Sequence, residues 1–149
     1  MNLKYMDLAF KEAEKAFKHN EVPIGAVIVK NDVVLAKCHN NKEKSCCAVN
    51  HAEILAITKA SKKLKNWRLE ECDIYVTLEP CPMCASAIKQ ARIKNVYSAL
   101  KNIDVNNEVI IKKIFESDTV NPTVNFINNL SVEKSETLLQ KFFQSRRKK

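Results

Sequence analysis

Strand-like and helix-like patterns alternate along almost the whole of this 149-residue chain, and that alternation narrows the folds open to it more than any other feature. Leu3 to Phe17 have helical periodicity, with Leu3, Met6, Phe10, Ala13 and Phe17 on one face and Lys4, Lys11, Glu14, Lys15 and Lys18 on the other. Val22 to Lys30 is a dense apolar run rich in β-branched residues. Asn31-Asp32 follows as a two-residue turn and Val33 to Cys38 as a second strand, so the pair predicts a hairpin. The polar stretch His39 to Asn50 reads as a loop, long enough to carry function. Helical periodicity returns from His51 to about Leu64, with Ile54, Leu55, Ile57, Ala60 and Leu64 as the apolar stripe. Ile74 to Leu78 reads as a strand, and Pro82 opens a helix to about Arg92. Val96 to Leu100 is a fourth strand, Glu108 to Phe115 fits helix or strand equally, and Val132 to Ser145 predicts a closing helix. This order implies a three-layer α/β domain with a mixed sheet, and no repeat, linker or low-complexity segment divides residues 1–149.

The apolar share of 46% and charged share of 28% are those of an ordinary globular domain. No run approaches the roughly 18 apolar residues that span a bilayer, so no membrane association is expected. Lys4, Asp7, Lys11 and Glu12 interrupt what could have been a signal-peptide core, which makes an unprocessed cytoplasmic protein the expectation. The net charge of +8 fits either a lysine-rich soluble surface or a polyanionic partner such as nucleic acid. The single glycine, Gly25, excludes the glycine cradles that bind nucleotide phosphates. Six cysteines in a chain with no export signal favour metal or catalytic use over a disulfide framework. Of these, Cys46 and Cys47 are adjacent, and Cys38 and Cys72 border apolar runs as small hydrophobes.

Two short motifs remain, and both fall at predicted helix starts. His51-Ala52-Glu53 begins one helix and Pro80-Cys81-Pro82-Met83-Cys84 another. Cysteines at i and i+3 project from one helical face, so both thiolates can reach one ion, and the His51 imidazole completes three protein ligands. Three ligands with an open fourth position describe a catalytic rather than a structural zinc site, where bound water becomes nucleophilic near neutral pH. Glu53, two residues from His51, can face that water without being a ligand and move its proton. A CxxC alone would equally suit a redox pair or half of a structural zinc site, with Cys72 the one plausible fourth ligand. The two motifs together, in this order, form the pattern of zinc nucleobase deaminases.

These residues resemble the bacterial tRNA-specific adenosine deaminases of the cytidine deaminase-like superfamily over nearly the whole chain. The likeness rests on Glu21-Val22-Pro23-Ile24-Gly25-Ala26, His39-Asn40, His51-Ala52-Glu53-Ile54, Trp67-Arg68-Leu69, Tyr75 through Ala85, Ala91-Arg92-Ile93, and Phe142-Phe143 with Arg146-Arg147. It implies an α/β/α cytidine deaminase-like fold with a central mixed five-stranded sheet, and a homodimer. It also implies one Zn2+ per chain on His51, Cys81 and Cys84, with Glu53 as catalytic proton shuttle. The implied reaction is adenosine to inosine at the wobble position of a tRNA anticodon loop, the base being flipped into the pocket. Asn40 and the backbone N–H of Ala52 would meet the base, Val22, Pro23 and Ile24 would wall the pocket, and Arg146 and Arg147, with Lys148 and Lys149, would meet RNA phosphate. The chain departs from the family pattern after the fourth strand, where Ser98-Ala99-Leu100-Lys101-Asn102 replaces a Gly-Ala-x-acidic segment. It departs again at Asn121-Pro122, usually Asn-His, and glycine is missing at Ser86 and Asn129. A second reading, deamination of free guanine, cytosine or adenosine, shares the same metal core and is favoured by the lost loop residues. A third, a non-catalytic RNA-binding subunit, is opposed by the intact Glu53.

Overall fold

The computed structural model describes residues 1–118 and 122–147. Asn121 of the Asn121-Pro122 departure and the Lys148-Lys149 end of the basic tail lie outside them. Five strands form one sheet: β1 (Gly25–Lys30), β2 (Val33–His39), β3 (Cys72–Val76), β4 (Asn95–Ser98) and β5 (Asn125–Ile127), in the order β2-β1-β3-β4-β5. β1 pairs antiparallel with β2 and β3, while β3–β4 and β4–β5 are parallel. The mixed sheet is therefore the one expected. At the hairpin tip Asn31 and Asp32 take φ 49° and 61°, the left-handed pair that a two-residue connection between twisted strands requires.

Six helices complete the chain: α1 (Leu3–Lys18), α2 (Lys42–Ser45), α3 (Ala52–Leu64), α4 (Pro82–Gln90), α5 (Val105–Glu116) and α6 (Val132–Arg147). The strands alternate their side chains between two cores. Ala26, Ile28, Ile74, Val76 and Val96 face α3, α4 and α5, meeting Ala52, Ala56, Ala60, Ala85, Ile88, Ile111 and Phe115. Val27, Val29, Tyr75 and Tyr97 face the other way, against Tyr5, Met6, Ala9 and Phe10 of α1 and Leu138 of α6. Helices on both faces of the sheet make the three layers.

Several elements differ from the sequence expectation for local reasons. Leu3 opens α1 half-exposed, because α1 turns Tyr5, Met6, Ala9, Phe10, Ala13 and Ala16 inward instead. The stretch His39 to Asn50 contains the short helix α2, tied down by the Glu21 carboxylate, which accepts the Glu43 N–H at 2.6 Å. The ambiguous segment is helical, with the Asp104 side chain accepting from Asn106 N–H at its start and with Ile111 and Phe115 buried. β5 has only Phe126 and Ile127 as apolar residues, too few to produce a readable alternation. The buried Lys89 ties α4 to the end of α5 by donating to the carbonyls of Phe115, Ser117 and Pro122.

Gly25 is where β1 crosses α1. A Cβ at this position would lie 2.0 Å from the Ala9 carbonyl oxygen and 2.8 Å from the Ala13 nitrogen. Both atoms are helix backbone and cannot move aside independently. Gly25→Ala should cost at least about 3 kcal/mol, at the upper end of overpacking, and lower the melting temperature by roughly 6–12 °C. A calorimetric scan showing no change would mean that β1 and α1 are not in contact.

Candidate active site

The sequence motifs meet where α3 and α4 begin. His51 is the N-cap residue of α3, with φ −72° and ψ 153°, and Cys81 that of α4, with φ −73° and ψ 169° and Pro82 opening the helix. The His51 side chain makes no hydrogen bond to its own helix end and is free to turn toward the cysteines, while Cys81 Sγ also faces the N–H groups of Met83 and Cys84 at the start of α4. His51 Nδ1 lies 3.7 Å from Cys81 Sγ and 3.4 Å from Cys84 Sγ, and the three donor atoms all fall within 4.8 Å of one another. No other group of three His, Cys, Asp or Glu side chains could hold a metal ion among the described residues. Cys72, the one conceivable fourth ligand, opens β3 at the far end of the strand that leads to Cys81. Burial pushes its thiol up to about 11, so it is an inert core residue.

The charges at the site are unequal. A hydrogen bond from the Cys84 thiol, backbone N–H groups of Cys84 and Met83 and the neighbouring His51 hold Cys81 down to about 5. Cys84 is pushed up by that same hydrogen bond, by burial and by the Glu53 and Cys81 charges. Without a metal the pair is thus one thiolate and one thiol. Glu53 is only 4% exposed. Burial, with the Cys81 charge adding to it, raises its carboxyl to about 7. A carboxyl that gains and loses its proton near neutrality is suited to carry protons both ways.

Asn40 is buried and its Oδ1 accepts the Ala52 N–H at 2.9 Å. It therefore caps α3 in place of His51, which is occupied with the cysteines. The Ala52 N–H, which the resemblance assigned to the base, donates to the Asn40 side chain in this structure. Because Ala52 offers a donor, the Asn40 amide orientation is determined, and its NH2 group has no partner among the described residues. Asn40 is itself held by the Ile24 carbonyl, which accepts its backbone N–H at 3.1 Å. Pro23 is buried and Ile24 half-buried. Val22 lines a cavity of about 760 Å³ together with Leu78, Lys101, Leu139, Phe143 and Arg147. Arg146 is exposed, with its guanidinium 5.2 Å from the Phe142 ring. Lys101, which stands where the family has an acidic residue, pairs with Glu108 at 2.9 Å.

Besides Glu12 of α1, which pairs with Lys15 and His39, two buried carboxylates had no role in the sequence reading, Glu21 under the α2 loop and Glu79 beside Cys81. Neither carries a sequence signal of burial: Glu21 follows the polar His19-Asn20, and Glu79 lies between Leu78 and Pro80 in a connection.

A three-layer mixed sheet carrying a His/Cys/Cys cluster at two helix N-termini, with a buried carboxyl two residues from the histidine, defines a hydrolytic deaminase of the cytidine deaminase-like class. The chain belongs to the MafB19-like deaminase family, which matches residues 1–147. It is 38% identical over 145 residues to the tRNA-specific adenosine deaminase of Bacillus subtilis, covering 97% of this chain and 90% of that one. A structure from work on A-to-I editing by tRNA:A34 deaminases at the wobble position superposes with a TM-score of 0.84 at 35% identity, over 93% of this chain and 100% of that one. A guanine deaminase from Bacillus subtilis is 32% identical with a TM-score of 0.68, over 100% of this chain and 96% of that one.

Asn40→Ala should leave the Ala52 N–H unsatisfied and destabilise the protein by about 1–2 kcal/mol in denaturant titration. An unchanged midpoint would mean that Asn40 does not cap α3.

Proposed function

We propose that this deaminase converts adenosine to inosine at the wobble position of a tRNA anticodon loop, using one Zn2+ per chain. The observation that carries this reading is the sulfur–nitrogen cluster beside a carboxyl poised near neutrality, in a chain 38% identical to an enzyme named for tRNA adenosine. Two sulfurs and an imidazole suit zinc, and with no fourth protein donor among the described residues they leave a coordination position for water. Zinc held by His51, Cys81 and Cys84 would supply the Lewis acidity that makes water nucleophilic near neutral pH.

The remaining steps belong to the protein. Glu53 takes a proton from the attacking water on a carboxylate oxygen and delivers it to the purine ring nitrogen. As the C–N bond to the amino group breaks, a second proton passes through Glu53 to the departing ammonia, and the ring carbon keeps the oxygen. Asn40, its Oδ1 fixed by Ala52, offers its NH2 to an acceptor on the flipped base. An anticodon loop presents an unpaired base at little unstacking cost. Val22, Leu139 and Phe143 give the neighbouring cavity apolar walls, and Arg147 at its rim, with the exposed Arg146, supplies positive charge for phosphate.

The homodimer is part of the same proposal. Ile103 is 98% exposed, Val105 70% and Val109 56%, an apolar surface at and before α5 that a second copy would cover. A tRNA substrate assigns the work to the cytoplasm, and no helix among the described residues is long and apolar enough to cross a membrane. The 32% identity to a guanine deaminase supports the second reading, a free base as substrate.

Incubation with an anticodon stem-loop bearing a wobble adenosine, beside free adenosine, cytosine and guanine, separates the two by product mass. Inosine in the stem-loop alone is the expected result, while deamination of a free base alone would transfer the protein to the second reading. Metal analysis should return one zinc per chain, lost in Cys84→Ala. Glu53→Ala should keep zinc and lose turnover by roughly 10²–10⁴-fold. Asn40→Asp keeps the helix cap but removes the NH2 donor, so stability should hold while KM rises; unchanged KM would remove Asn40 from the base contact.

A further inference from the structure

Glu79 stands two residues before Cys81 and is 1% exposed, yet no lysine or arginine pairs with it among the described residues. Its carboxylate is held by amides alone. One oxygen accepts Asn128 Nδ2 at 2.7 Å, and the other accepts Asn107 Nδ2 at 2.8 Å and the Asn102 backbone N–H at 3.2 Å. Each side-chain donor is fixed in orientation by a second bond. Asn128 Oδ1 accepts the Asn129 N–H at 2.9 Å, and Asn107 Nδ2 also donates to the Pro80 carbonyl at 3.0 Å. The Glu79 N–H in turn donates to the Leu100 carbonyl at 2.7 Å.

The consequence is directional. Three segments distant in sequence, Leu100–Asn102, the first turn of α5 and the β5–α6 connection, are clamped onto the turn that carries Cys81. Two of them bear departures from the family pattern, at Lys101 and at Asn129. Asn129 takes φ 59°, and its Oδ1 accepts the Lys101 N–H at 3.0 Å. Leu100, Lys101 and Asn102 line the cavity shared with Phe143 and Arg147. The turn that carries Cys81 meets this clamp at the Glu79 N–H and the Pro80 carbonyl, while His51, Cys81 and Cys84 sit at the starts of α3 and α4.

We propose that Glu79 is a positioning residue that holds this cavity wall in register with the metal centre, and thereby sets the grip on the nucleotides flanking the reactive adenosine. This rests on the tRNA reading above. A glutamine cannot replace it, because its NH2 would face the NH2 of Asn128, which the Asn129 N–H prevents from flipping. Moving the carboxylate to the other partner should restore every bond. In Glu79→Gln with Asn128→Asp, the glutamine NH2 donates to the aspartate, whose second oxygen still accepts the Asn129 N–H.

The test measures kcat, KM, zinc content and melting temperature on the wobble-adenosine stem-loop for the wild type, Glu79→Gln, Asn128→Asp and the double variant. Glu79→Gln should raise KM by about tenfold or more, with zinc unchanged and kcat within about threefold, as expected when a bound strand is displaced by a fraction of an ångström. Asn128→Asp, which sets two carboxylates face to face, should do the same, and the double variant should return KM to within about threefold of wild type. Should Glu79→Gln not fold, Asn128→Ala, at a half-buried position, must by itself raise KM severalfold. The proposal is overturned if KM stays within about twofold in the single variants, if the change appears as lost zinc and lost kcat, or if the double variant regains its melting temperature but not its KM. A wild type that leaves the stem-loop untouched overturns the tRNA reading itself, and with it the claim about flanking nucleotides.

Discussion

Two helix N-termini open toward one point, and the chemistry of the molecule depends on that convergence. α3 and α4 lie on the same face of the sheet, α3 following β2 through the loop that holds α2 and α4 following β3. Each N-cap residue is extended; His51 turns its side chain into the gap instead of back onto α3, while Cys81 Sγ faces both the gap and the first N–H groups of α4. That choice brings an imidazole and two sulfurs together, and it also leaves α3 without its usual cap. Asn40, from the end of β2, supplies the missing acceptor. The free backbone N–H groups at the start of α4 help hold Cys81 as a thiolate, while the carboxyl of Glu53, buried and next to that thiolate, is driven the other way. One geometric fact thus sets both the anion in the His/Cys/Cys cluster and the raised carboxyl beside it.

The parts of this arrangement that are local in sequence were readable without coordinates. Helix starts carry their own marks: Pro82 at the first helical position, Cys81 and Cys84 one turn apart, His51 and Glu53 ahead of a periodic stripe. The hairpin announced itself through Asn31-Asp32. What could not be read were contacts made across long sequence separation by residues with several possible roles. An asparagine in a loop gives no sign of whether it will cap a helix, as Asn40 does, or brace a buried carboxylate, as Asn107 and Asn128 do. Likewise β5, with three residues, acquires its strand identity only from the parallel edge of β4 beside it.

The near-absence of glycine shows in the backbone. Left-handed conformations occur at Asn20, Cys46, Lys65, Glu71, Arg92 and Asn129, where a Cβ costs something and asparagine costs least. At Asn129 the side chain does more than tolerate the turn, because it accepts the Lys101 N–H and so pins the segment that follows β4. Ser98 is fully buried and its hydroxyl donates to the Leu100 carbonyl two residues on. A loop that glycine would leave free is here held by side-chain amides and hydroxyls.

This difference separates the molecule into two parts with different tolerances. The metal cluster and Glu53 tolerate little, since three donor atoms within 4.8 Å and a buried carboxyl can be disturbed by any shift of α3 against α4. Residues 100–107 and 128 are tied to the Cys81 turn through one carboxylate and its amide partners, and residues 100–103 face a cavity on their other side. Substitutions there can shift the cavity wall while leaving the donor atoms of the cluster in place. A deaminase core that serves free bases in one relative and a tRNA in another needs a boundary of this kind, and the ring of amides around Glu79 is where this chain has it.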